Sequence, residues 1–212
     1  MSGIFITLEG PDGSGKSTVV EELSRYLKNS NIDYIFTREP GGTRIGEDIR
    51  DIILDNKNTN MSPRTEALLY AASRSQHVHE KIKPALQAGK VVLCERFVLS
   101  SLVYQGIGRG LGVVDVKAIN DFGIEGVKPD LTLFFDIDPS VSLNRKMVGQ
   151  DVDRLEMEGI GFHREVYNGY LELINKYPEN VVLIDASRSK EEVFKQVKSE
   201  VESILKERGL VK

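Results

Sequence analysis

Cysteine is nearly absent from this sequence. Cys94 is the only one in 212 residues, so an internal disulfide is impossible and a reducing, cytoplasmic setting is expected. Nothing approaches the ~20 consecutive apolar residues of a membrane span. The opening MSGIFITLEG has neither a basic n-region nor a long apolar h-region, so it is not expected to act as a secretory signal. Positive charge is not in excess: 28 Lys and Arg against 32 Asp and Glu leave a net −4 and a pI near 5.5. That balance is wrong for a general nucleic-acid binder, which needs a basic surface. The three histidines and lone cysteine show no metal-ligand spacing. There is no internal repeat, low-complexity tract or Ser/Pro-rich linker. A single domain over 1–212 is therefore expected, although the prior of roughly 150 residues per domain also allows two small ones.

What is present is alternation. Runs rich in Ile, Val, Leu and Phe occupy residues 4–8, 33–37, 91–94, 131–137 and 181–184. Most are continuously apolar, as in strands buried on both faces. Between them lie stretches with helical spacing. Val19, Val20, Leu23 and Leu27 mark the first, and Val193, Val197, Val201 and Ile204 mark the last. Ser189 with Glu192 three residues on is a capping-box signature for that last helix. Strands alternating with helices predict an α/β fold: a five-stranded, mainly parallel sheet with helices on both faces. Ligands in such sheets bind beyond the carboxyl ends of the strands.

The first strand runs into Gly10-Pro11-Asp12-Gly13-Ser14-Gly15-Lys16-Ser17-Thr18, which matches G-x-x-x-x-G-K-[ST] in its required strand-to-helix context. Glycines let the backbone curl so that successive N–H groups face phosphate oxygens, and the helix start adds its positive end. Lys16 is expected at an exposed loop position, reaching β- and γ-phosphates with little part in folding. The Ser17 hydroxyl can ligate Mg²⁺. Binding of a nucleoside triphosphate with Mg²⁺ follows. Other P-loop and kinase classes lack their marks. Asn56-Lys57-Asn58-Thr59 misses the aspartate of a guanine-reading motif. Asp121-Phe122-Gly123 has no accompanying catalytic loop or lysine strand and reads as a helix end. His163-Arg164 reads as a helix-surface pair, and Cys94 as packing.

Further strings sit where a second phosphate-bearing substrate would lie. These are Thr37-Arg38-Glu39-Pro40-Gly41-Gly42-Thr43 with Arg50 beyond it, then Leu68-Leu69-Tyr70-Ala71-Ala72-Ser73-Arg74, then Glu95-Arg96-Phe97 leading to Ser100-Ser101 and Tyr104-Gln105-Gly106. Tyr70 and Arg74, four apart, share a helix face. Arg145, Lys146 and Arg154 punctuate a later polar stretch that ends in Asp153-Arg154-Leu155-Glu156. Gly108-Arg109-Gly110 is either a substrate-facing turn or a flexible link.

Together these strings resemble the bacterial-type thymidylate kinases of the P-loop nucleoside monophosphate kinase group, from Ile4 to about Val193. The resemblance implies phosphoryl transfer from ATP to dTMP, giving dTDP and ADP, by a homodimer. It implies that Gly10 to Thr18 hold ATP phosphates, that Ser17 and Glu95 serve the metal, and that Arg188 lies at the adenine contact. Asp12 would face the acceptor sugar and the metal region. Arg50 and Arg96 would grip the dTMP phosphate, Tyr70 would stack on thymine, and Arg74, Ser101 and Gln105 would meet its polar edge. Tyr104 would pack on the deoxyribose, and Glu39 joins this substrate set. The segment 145–156 resembles a mobile lid. Some relatives carry an arginine inside the P-loop, whereas Pro11, Asp12, Gly13 and Ser14 supply none. Arg145, Lys146 and Arg154 are then the candidates for the catalytic cation, beside Lys16, Asp12 and Arg96. Glu95 stands where many relatives have aspartate. A kinase for another monophosphate and an ATP-dependent regulator remain alternatives, the latter opposed by the Arg50 and Arg96 pair.

Independent chemistry points the same way. A phosphate dianion suits arginine forks, and a flat neutral base suits an aromatic plane with a few donors and acceptors.

Overall fold

In the computed structural model, residues 3–146 and 153–211 are described. Of the expected lid, residues 147–152 and the side chain of Lys146 lie outside the described residues. The strands are β1 (Ile4–Glu9), β2 (Tyr34–Arg38), β3 (Val91–Glu95), β4 (Leu131–Asp136) and β5 (Val181–Asp185), each close to its predicted run. They form one sheet in the order β2-β3-β1-β4-β5, and every neighbouring pair is parallel.

A parallel pair cannot be closed by a hairpin, so the chain must cross over between strands, and it does so through helices. Helix α1 (Lys16–Asn29) follows β1, and α2 (Arg44–Leu54) and α3 (Pro63–His77) follow β2. A π-helical turn at Val78–Ile82 leads from α3 into α4 (Lys83–Gln87) and so to β3. After β3, α5 (Val98–Ser101) runs into a π-helical segment, Leu102–Gly108, and then α6 (Val113–Gly123). Helices α7 (Pro139–Lys146) and α8 (Ile160–Lys176) link β4 to β5, and α9 (Lys190–Glu207) follows.

Alternate strand residues point to opposite faces. Ile4, Ile6, Leu8, Val91, Leu93, Leu133 and Phe135 pack with α1 and α9 on one side. Phe5, Val92 and Cys94 pack with Val78, Ile82 and Phe97 on the other, where Phe134 also meets Val166 and Tyr170. Each large side chain so buried contributes about 1.5–3 kcal/mol. Burial on both faces holds for β1, β3 and β4; β2 and β5 are the sheet edges and leave Phe36 and Leu183 exposed. The capping box at Ser189 and Glu192 forms as expected. In α9 the fourth buried position is Leu205, with Ile204 only partly covered, because 3.6-residue periodicity carries the stripe from Val201 to 205.

From β1 the chain builds outward in both directions, through β3 and β2 on one side and β4 and β5 on the other. The carboxyl end of β1 is thus the topological switch point, where open α/β sheets hold ligands. The Gly10–Gly15 loop begins there.

Candidate active site

The loop after β1 takes a conformation only its glycines permit. Gly10 (φ 136°) presses so closely on β4 that an added Cβ would lie 2.8 Å from the Phe135 carbonyl oxygen. Gly15 (φ 93°) is left-handed and caps α1. Lys16, expected in an exposed loop position, is instead the buried first residue of α1. Its Nζ donates to the carbonyls of Gly10 at 3.1 Å and Pro11 at 2.7 Å and to Ser14 Oγ at 3.3 Å. The loop is wrapped around its own lysine. Burial pushes the ammonium down to about 8; the Arg96 charge adds to the shift, while Glu95 and Asp12 oppose it.

Cavities open on both sides of this loop. One, of about 830 Å³, is lined by Gly13, Ser14, Gly15 and Thr18 together with Arg145 and Arg188. Arg145 donates to the Ala186 carbonyl at 3.1 Å, and Arg188 pairs with Asp185 at 2.8 Å. The other cavity, of about 250 Å³, brings together Asp12, Ser17, Glu39, Arg50, Tyr70, Arg74, Glu95, Arg96, Ser101, Tyr104 and Gln105. Residues predicted from four separated strings therefore meet in one space.

Arg96 organises its near wall. Its backbone lies at φ 65°, a conformation that costs a non-glycine residue about 1–3 kcal/mol and clusters at functional sites. The turn aims the guanidinium at Asp12 (2.8 Å), Ser100 (3.1 Å) and the Tyr104 hydroxyl (3.3 Å), and over the Tyr104 ring at 5.1 Å. Burial pushes the Tyr104 phenol up to about 12. Arg50 donates to the Pro40 carbonyl at 3.0 Å and faces the same space. At the far wall Arg74 is buried. It donates to Glu39 (2.6 Å), Ser101 (2.9 Å), Asn120 and the Phe97 carbonyl (3.0 Å). Glu39 thus orients Arg74 and also pairs with His77 at 2.9 Å. With those four bonds made, one Nη2 hydrogen remains for the cavity. The half-buried Tyr70 lies one helical turn before Arg74, on the cavity side of α3.

Ser17 Oγ donates to Glu95 Oε2 at 3.3 Å, and Glu95 Oε1 lies 3.9 Å from Lys16 Nζ. A hydroxyl and a carboxylate side by side at the loop form a hard-oxygen donor set that suits Mg²⁺. Among the described residues, Glu39, His77 and Cys94 also bring possible ligand atoms within 4.8 Å of one another. Glu39 there is already committed to Arg74 and His77, which makes the group a structural knot. Folding assembles it from three elements, so spacing could not show it.

Arg154 is tied away from the phosphate loop: Nε donates to the Ile53 carbonyl at 2.8 Å and Nη2 to Glu66 at 2.7 Å. Its neighbours Asp153, Leu155 and Glu156 line the smaller cavity. His163 is not the surface residue expected; it is buried on α8, and its Nε2 has no hydrogen-bond partner among the described residues. The 3.6 period places 163, 166, 170 and 173 on one buried stripe. In the Gly108-Arg109-Gly110 turn, Arg109 pairs with Glu66 and Glu158 and stacks on Phe162 at 4.8 Å. Asp121-Phe122-Gly123 ends α6 as expected, and Cys94 is buried packing.

Sequence reasoning missed Glu9 and Glu66. Glu9, at the carboxyl end of β1, is buried and accepts from Phe97 N (2.8 Å), Ser100 Oγ (2.5 Å) and Tyr170 Oη (3.1 Å). Burial raises its carboxyl above the ordinary range. An acid ending a largely apolar strand was a usable signal. Glu66, one helical turn before Tyr70, carried none.

A family model described as thymidylate kinase matches residues 8–197. The thymidylate kinase of Finegoldia magna is 58% identical over 193 residues, covering 91% of this chain and 95% of that protein. That of Clostridium novyi is 52% identical over 198 residues, covering 92% and 97%. The crystal structure of thymidylate kinase from Ehrlichia chaffeensis superposes with a TM-score of 0.77 at 30% identity, covering 95% of this chain and 99% of that one.

Proposed function

The chain belongs to the thymidylate kinase family, and from that premise we propose that it transfers the γ-phosphoryl group of ATP to dTMP, giving dTDP and ADP. The observation that carries this is one cavity lined by Arg50 and Arg96 together with Tyr70, Arg74 and Gln105. That joins a dianion grip to a flat-base platform in one space. The regulator alternative has no use for such a pocket.

The triphosphate lies in the larger cavity along Gly10 to Thr18, with Arg188 at its base end. Phosphoryl transfer depends on positioning and charge neutralisation more than on covalent chemistry. Lys16 exchanges its carbonyl partners for phosphate oxygens, which restores its full charge. Arg96 and Arg50 orient the acceptor phosphate in line, with Asp12 holding Arg96 and facing the sugar. Tyr70 stacks on the thymine ring, Arg74, Ser101 and Gln105 meet its polar edge, and Glu39 fixes Arg74. Tyr104 packs on the deoxyribose. Ser17 and Glu95 would hold Mg²⁺, which when bound neutralises charge on the transferred group. Arg145 lies on the ATP side of the loop, which favours it over Arg154 as the lid cation.

The chain acts as a single domain over 1–212, with 145–156 as its lid. A homodimer is supported by apolar side chains exposed on the packed pair α3 and α6: Leu68 (57%), Val114 (80%) and Phe122 (90%). Among the described residues no helix is long and apolar enough to cross a membrane. A cytoplasmic location agrees with the lone buried thiol.

The test is direct. Incubation with Mg-ATP and each nucleoside monophosphate separately should give ADP fastest with dTMP. Faster turnover of UMP, CMP or a purine monophosphate would reassign the acceptor.

A further inference from the structure

Glu66 belongs to none of the roles above, yet it is among the most enclosed charges in the molecule, 1% exposed on α3. Four hydrogen bonds converge on it from two distant parts of the chain. Oε1 accepts from Gln105 Nε2 at 2.9 Å and Arg109 Nε at 3.2 Å; Oε2 accepts from Arg109 Nη2 at 3.2 Å and Arg154 Nη2 at 2.7 Å. Burial alone would raise its carboxyl, but donation from Gln105, Arg109 and Arg154 outweighs it and holds the group below the ordinary carboxylate range. Glu66 is therefore an ionised, acceptor-only group.

That state constrains Gln105. A carboxamide has one donating and one accepting end, and a carboxylate can only accept. Gln105 must turn its NH₂ toward Glu66, leaving Oε1 as the end available to the cavity that Gln105 lines. An accepting oxygen welcomes a base with a ring N–H and opposes one with a bare ring nitrogen. We propose that Glu66 is the specificity-positioning residue of the acceptor pocket: it locks the Gln105 amide in the orientation that selects a base carrying a ring N–H over one carrying a ring-nitrogen lone pair. This rests on the reading of the smaller cavity as the dTMP site.

Glu66→Gln tests it with a definite sign. Arginines only donate, so the new carboxamide keeps its oxygen where two arginine contacts converge, at the Oε2 position. It places its NH₂ at the Oε1 position, facing Gln105 and giving up the single Arg109 Nε contact there rather than the two at Oε2. The Gln105 amide then turns over and presents its NH₂ to the cavity. Thymine N3–H loses its acceptor and cytosine N3 gains a donor. The kcat/KM preference for dTMP over dCMP should narrow at least tenfold, because dTMP loses one hydrogen bond while dCMP gains one. Arg74, which can only donate, favours dTMP over dCMP equally in wild type and variant and so cancels from the change in ratio. Gln105→Leu leaves Glu66 with both arginines and keeps the question decidable should Glu66→Gln melt too low to assay. It should also narrow the preference, and in the Gln105→Leu background Glu66→Gln should narrow it no further. A role of Glu66 confined to folding would lower the melting temperature of Glu66→Gln and leave its dTMP-to-dCMP ratio unchanged; that result, or an unchanged ratio in Gln105→Leu, would overturn the proposal. Wild type that does not phosphorylate dTMP would instead overturn the reading of the pocket.

Discussion

The two cavities beside the phosphate loop are built from different materials. The larger is part backbone: the loop glycines and the start of α1 line it, beside a few side chains from farther along the chain such as Arg145, Arg188 and Phe194. The smaller is side chain: arginines, carboxylates and tyrosines from β2, α2, α3, β3 and the Leu102–Gly108 segment, locked by hydrogen bonds to one another. A triphosphate is the same whatever base it carries, so a local backbone cradle serves it. A particular monophosphate must be told from its neighbours, and that takes groups with direction and shape, brought from afar and fixed in orientation.

If the comparison is right, damage on the loop side should fall on turnover. Lys16→Ala should lower kcat by about 10²–10³-fold, the scale on which a transition-state charge contact acts. Because the native lysine is held against its own titration, the melting temperature should change little. An ADP-coupled assay with a thermal melt checks both, and near-normal turnover at saturating ATP would break the loop half of the comparison.

Damage on the acceptor side should instead separate the substrates. Losing charge-assisted contacts to a phosphate costs about 1.5–3 kcal/mol. Arg96→Ala should therefore raise the dTMP half-saturation roughly 10–100-fold, with a much smaller change for ATP. Equal losses for both would show that the two cavities are not distinct in function.

Tyr104→Ala sharpens the picture further. A ribose 2′-hydroxyl set against the ring is stranded at a cost of roughly 1–3 kcal/mol, and removing the ring admits water. The kcat/KM ratio of dTMP over its ribo counterpart should narrow about tenfold, although both values fall. An unchanged ratio would make Tyr104 packing only.

The smallest effect concerns protons. Lys16 sits near 8 in the unliganded fold against an ordinary 10.5, so the fold bears the cost of an enclosed cation at every pH below about 8. That cost is relieved as pH rises from about 8 toward 10.5, so this group makes the unliganded protein more stable across that window. A bound triphosphate restores the charge. At pH 8 nucleotide binding should take up about half a proton, seen as a buffer-dependent binding enthalpy. Buffer-independent heat would show that the lysine is already charged.

The sheet and its helices were legible because apolar runs and 3.6-residue spacing are local properties, and the Gly10–Thr18 motif is contiguous. The acceptor residues were legible only as strings such as Glu95-Arg96-Phe97, through resemblance. What failed had a common cause. Lys16 reads as exposed because sequence shows its neighbours and not the carbonyls folded back on it. His163 reads as surface because a polar residue on a buried stripe looks like its exposed neighbour Arg164. Glu66 reads as an ordinary helix acid until Gln105, Arg109 and Arg154 arrive from elsewhere.

The strand order has a consequence for how the molecule is made. Ile4 pairs opposite Val91, and Ile6 opposite Leu131, so the central strand leaves the ribosome long before either partner exists. No neighbouring pair can zip locally, and non-local pairing of this kind is slow. During that wait a strand of six residues, all buried in the end, is a sticky edge without a mate. Helix α1 is the next element in the chain and shares a core cluster with the same strand, so its formation ahead of β3 would shield that strand.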